Sequence, residues 1–127
     1  MQGFEDVTLT WREQSYTVPA DRQLMLIAKL ESALAPETGQ AIDVLFRKGG
    51  PPHTVLAQAF GAALRYAGAS VTDDEVYLSI HQDIAAKSRK QVAYTLQTMI
   101  LALMAITSPP TARALAAAAK DDAPKNP

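Results

Sequence analysis

Val92, Leu96, Met99, Ile100, Leu103 and Ile106 recur with a period that puts them within about one-third of a helix circumference. No other feature of the chain restricts its fold so strongly. A strand alternates its side chains every second residue and would scatter these six over both faces. The segment from about Ser88 to Ile106 is therefore expected to be a helix with a core-facing stripe, and the rest of the chain must supply that core. The opposite side of the same helix carries Tyr94, Gln97, Leu101 and Met104, where a surface helix should be polar. Two explanations stay open: the helix is central and covered on both sides, or the second stripe meets another protein. Leu24 and Met25, off the main stripe of an earlier helix, admit the same two explanations.

The elements before it follow from similar signals. Val7, Leu9 and Trp11 alternate with Thr8 and Thr10, and Tyr16-Thr17-Val18 resumes after a polar break, which predicts a β-hairpin over 6–18. A two-residue turn at Glu13-Gln14 would set Trp11 opposite Tyr16 and Leu9 opposite Val18, although neither turn residue favours positive φ and a longer loop is the alternative. Pro19 ends the strand and Asp21 can cap a first helix reaching Leu34. A short second helix, about 38–47, is expected to bury Ile42, Leu45 and Phe46. Lys48-Gly49-Gly50-Pro51 breaks it. Pro52 suits the first turn of a third helix, which presents Leu56, Ala59, Phe60, Ala63 and Leu64 inward and stops at Gly68. Thr72-Asp73-Asp74-Glu75 has the spacing of a capping box and opens a fourth helix through Val76, Tyr77 and Ile80 towards Ile84. Ser108-Pro109-Pro110 reads as the end of the packed unit. The expected fold is mainly α (α+β): an N-terminal hairpin and a bundle of about five helices over 21–107, forming one globular domain over 1–110. Residues 111–127 are expected to be a flexible, Ala-rich and charged tail, with a marginal helix near Ala114–Lys120 and disorder from Asp121 onwards.

Composition narrows the function. The chain has no cysteine, which removes disulfides, thiol nucleophiles and cysteine zinc sites. Twelve Lys and Arg against 13 Asp and Glu leave a net charge of −1, without the positive excess of a nucleic-acid binder. The longest strictly apolar run, Met99 to Ile106, falls far short of the ~18 residues of a membrane span, and the start Met1-Gln2-Gly3-Phe4-Glu5-Asp6 lacks the pattern of a signal peptide. No nucleic-acid partner and no membrane are expected, and the location is cytoplasmic by elimination.

Chemistry is scarce. His53 and His81 fall on different elements, with no HExxH or similar spacing around either, and are read as ordinary surface or loop residues. Asp73, Asp74 and Glu75 are accounted for by helix capping. Gly49-Gly50 follows Lys48 and lacks the frame of a phosphate loop, so it reads as a turn. Lys87, Arg89 and Lys90 form a basic cluster, read first as a solvated surface and second as an anionic contact. No catalytic residue, cofactor or metal is expected.

The order of parts resembles the tail assembly chaperones of long-tailed (siphovirus-type) phages and prophages, including their gene transfer agent relatives. The residues that carry the resemblance run from about Asp6 to Pro110. They are Val7-Thr8-Leu9-Thr10-Trp11 with Tyr16-Thr17-Val18, Ala28-Lys29-Leu30-Glu31-Ser32-Ala33-Leu34, Ala63-Leu64-Arg65-Tyr66-Ala67-Gly68, Val71-Thr72-Asp73-Asp74-Glu75-Val76, and an apolar helix ending at Pro109-Pro110. The resemblance implies a non-catalytic helper, absent from the finished virion, that works in the host bacterial cytoplasm. It would coat the tape measure protein, keep it soluble, help recruit tail tube subunits and self-associate. It also implies that a frameshifted longer form can exist, and a prophage copy could interfere with related phages. A structural tail component (tube or connector subunit) and a small helical regulator are the alternatives; strand content above about one-third would favour the former, and salt-dependent DNA binding the latter. The positions expected to touch the partner are Met25, Tyr94, Leu101 and Met104.

Overall fold

A computed structural model describes residues 3–34 and 40–122. It opens with an antiparallel hairpin of two five-residue strands, β1 (Val7–Trp11) and β2 (Gln14–Val18). The turn is Arg12-Glu13, both with positive φ (48° and 68°), so the chain uses the left-handed pair that two-residue hairpins need without Gly or Asn. The register is consequently two residues away from the expected one: Leu9 faces Tyr16 and Trp11 faces Gln14. A two-residue slip preserves sidedness, because side chains alternate with period two. Leu9 and Val18 accordingly still share the core face, and both are fully buried.

After a 3₁₀ turn at Ala20–Arg22 come α1 (Gln23–Leu34), α2 (Ala41–Leu45), α3 (His53–Tyr66), α4 (Asp73–Ala86), α5 (Arg89–Thr107) and α6 (Pro109–Asp122). Leu26, Leu30 and Leu34 of α1 are fully buried, the i, i+4, i+8 stripe of a core-facing helix. Gln23 is the buried polar residue at the head of α1; its Nε2 donates to the Glu5 carbonyl and ties the segment before β1 to the bundle. In α2, Val44 and Leu45 are buried while Phe46 is exposed, contrary to expectation. The helix ends at Leu45, two residues earlier than expected, and Phe46 at its C-cap no longer follows the stripe. The expected start at Thr38 lies outside the described residues.

The turn between α3 and α4 was fully readable. Gly68 has φ 105°, the Ala69 N–H donates to the Leu64 carbonyl (2.9 Å) and the Gly68 N–H to that of Arg65 (3.0 Å), which together form a Schellman stop. Replacing Gly68 by Ala should destabilise the fold by about 1–2 kcal/mol, because a Cβ is strained at that φ even though open space surrounds it. A urea titration showing no loss would contradict this. Thr72 Oγ1 accepts from the Glu75 N–H (3.1 Å) and Glu75 Oε1 from the Thr72 N–H (3.2 Å), as the capping box requires. A second box, Ser88 with Gln91, opens α5.

The α5 helix touches α1, α2, α3, α4, α6 and β1. Met99, Leu103, Met104 and Ile106, all in its second half, are buried, whereas its first two turns stand largely in solvent. Ser108-Pro109-Pro110 does not end the packed unit. The two prolines open α6, where the missing N–H groups would have no helical partner in any case, and Ser108 Oγ lies 2.7 Å from Thr111 Oγ1. Ala112 and Leu115 pack onto the core, so the expected tail is a helix as far as Asp122. Residues 123–127, where disorder was also expected, lie outside the described residues.

Candidate functional site

The fold splits the second stripe of α5 in two. Tyr94 is 73% exposed and Leu101 42%, while Met104 is 2% exposed and belongs to the core. Tyr94 and Leu101 are seven residues apart, hence two turns along one face, and Gln97 and Thr98 lie exposed between them. Met104 drops out of the expected partner surface because its side chain is packed in the core cluster, whereas Leu101, one turn before it, stays exposed. The central-helix explanation holds for Met104 and the partner-facing one for Tyr94 and Leu101. Met25 is 68% exposed on α1, beside the similarly exposed Leu24. It shares neither helix nor stripe with Tyr94 and Leu101.

Two further apolar positions were missed. Leu78 is 57% exposed and Ile84 40%, both on α4. Leu78 sits two residues from each of the buried Val76 and Ile80, a separation that turns it to the other side of the helix; that signal was present in the sequence. Ile84 forms a groove with Val92, Ala93 and Leu96 where α4 meets α5, and Lys87 and Arg89 stand at its edge. Lys87 lies 3.4 Å from Asp83, so one cation of the basic cluster is partly neutralised within its own helix turn. Lys87, Lys90 and Gln91 continue past this groove to Tyr94 and Thr95 on the next face. The arrangement has apolar floors beside ammonium and guanidinium groups, which can take an amphipathic segment bearing carboxylates. Phe4, Leu24, Ile27, Pro109 and Pro110 line another apolar groove.

The histidines, expected to be ordinary surface or loop residues, are half-buried and meet each other. His53 Nδ1 and His81 Nε2 are 3.2 Å apart, and the Tyr77 ring lies on His81 with centroids 4.5 Å apart. The cause is the hairpin of α3 and α4. Residues equidistant from its turn face one another when helices run antiparallel, and His53 and His81 are equidistant from Ala67. Arg47, Gly49, Gly50, Pro51, Pro52 and Thr54 complete the lining of this open groove, which includes no carboxylate. Among the described residues no three His, Cys, Asp or Glu side chains converge, and no helix is long and apolar enough to cross a membrane. No family model, curated protein or solved structure matches the chain.

Proposed function

We propose that this protein is a tail assembly chaperone of a long-tailed phage or prophage, which binds the tape measure protein in the bacterial cytoplasm and helps bring tail tube subunits to it. The support is the resemblance in the order of parts together with one structural observation: Tyr94 and Leu101 stand in solvent on one face of the helix that organises the core. Full burial of a large apolar side chain contributes roughly 1.5–3 kcal/mol, and a partner can recover the part of it that Tyr94 and, to a smaller extent, Leu101 forgo. A long helical protein with repeated apolar stripes would aggregate alone, and many copies of a small domain along it can shield those stripes. Repetition raises the total strength while each contact stays weak enough to be displaced by tube subunits. Low strand content, confined among the described residues to one hairpin, weighs against the tube-subunit alternative.

The test is co-expression with a tape measure protein from the same genome, measuring how much of that protein stays soluble. Wild type should raise the soluble fraction. The double variant Tyr94→Asp, Leu101→Asp should keep its helical circular dichroism and bind at least about tenfold more weakly, the loss of two modest hot spots. An insoluble partner with wild type present would overturn the function. A double variant as effective as wild type would overturn the surface.

A further inference from the structure

We propose that His53 and His81 form a two-imidazole site for a borderline divalent transition metal, with zinc the natural probe. The inference is independent of the tape measure proposal and concerns a different groove. The two ring nitrogens are 3.2 Å apart and come from the two helices of the α3–α4 hairpin. Two nitrogens bound to one tetrahedral zinc at 2.0–2.1 Å are separated by about 3.3 Å, so the backbone already holds the rings at chelating distance. The same separation suits a hydrogen bond from one imidazole N–H to the other's lone pair. Metal binding replaces that hydrogen bond with convergence of both lone pairs on the ion, through rotation of half-buried rings.

The donor set selects the class of ion. Two neutral nitrogens without a carboxylate favour zinc, copper or nickel over magnesium and calcium, which need oxygen donors. Remaining coordination positions fall to water or to a ligand entering the open groove, where Gly49 adds no side chain. Nitrogen chelation has no competing location, because the chain contains only these two histidines and no cysteine.

The full chain, purified without a histidine tag, is titrated with zinc chloride by calorimetry, with magnesium chloride as the control. One saturable equivalent of zinc is expected, with no magnesium binding. His53→Ala and His81→Ala should each weaken zinc binding by at least about tenfold, because either leaves a single imidazole. If either variant fails to fold, wild type decides by carbethoxylation: zinc should protect both His53 and His81 from diethyl pyrocarbonate, mapped by mass spectrometry. Absence of saturable binding overturns the site. Weakening in only one variant, or protection of only one ring, overturns chelation and leaves a simple hydrogen bond between the helices.

Discussion

Met104→Asp is expected to unfold the chain, whereas Leu101→Asp three residues earlier should leave it folded. Met104 is 2% exposed and packed in the core cluster. A carboxylate there loses its hydration and gains no partner, a penalty of several kcal/mol even after relaxation or protonation. The lost burial of the methionine adds roughly 1.5–3 kcal/mol. Together these reach about 5 kcal/mol or more, comparable with the whole stability of many domains. At Leu101 the substituted side chain can reach water, and the change should stay within about 1 kcal/mol. Urea denaturation followed by far-ultraviolet circular dichroism separates the two. A Met104→Asp protein with the wild-type midpoint would mean that the second half of α5 is not core. The contrast also governs how the partner surface must be probed. A variant carrying Asp at both 101 and 104 would lose binding through unfolding, so Tyr94 is the correct companion for Leu101.

Signals confined to one helix or its ends were legible in the sequence. The Thr72–Glu75 box, the Gly68 stop and the buried leucine stripe of α1 each depend on residues a few positions apart, and each appears where its spacing places it. Features that depend on how elements meet were harder. Arg12 and Glu13 adopt positive φ without any residue type that announces it, so the register could not be read, only the sidedness. Periodicity gives two stripes on α5 but not which of their residues the neighbouring elements cover, which is why Tyr94, Leu101 and Met104 looked alike. The histidine pair needed a tertiary premise, that α3 and α4 form an antiparallel hairpin about Ala67; the spacing was available once that premise was granted. Ser108-Pro109-Pro110 is ambiguous in itself, since proline follows helix ends and also begins helices.

That ambiguity has a measurable consequence at the C-terminal end. Ending the chain after Ser108 should lower stability by about 2–3 kcal/mol, the burial of one leucine together with re-exposure of the apolar surface it covers. The α6 helix brings Ala112 and Leu115 onto the core, and its Arg113 Nη1 donates to the Gly3 carbonyl at 3.2 Å and lies 3.9 Å from the Glu5 carboxylate. The two polar contacts are largely exposed and add little, so the apolar pair dominates. For a chain of this size the loss corresponds to a fall in Tm of roughly 10 °C. Leu115→Ala in the full-length chain should reproduce about 1 kcal/mol of it, because that leucine is only half-buried. A flexible tail, by contrast, could be removed without moving Tm at all. If the shortened protein melts with wild type, then α6 does not hold its place on α5, and the packed unit ends at the prolines after all.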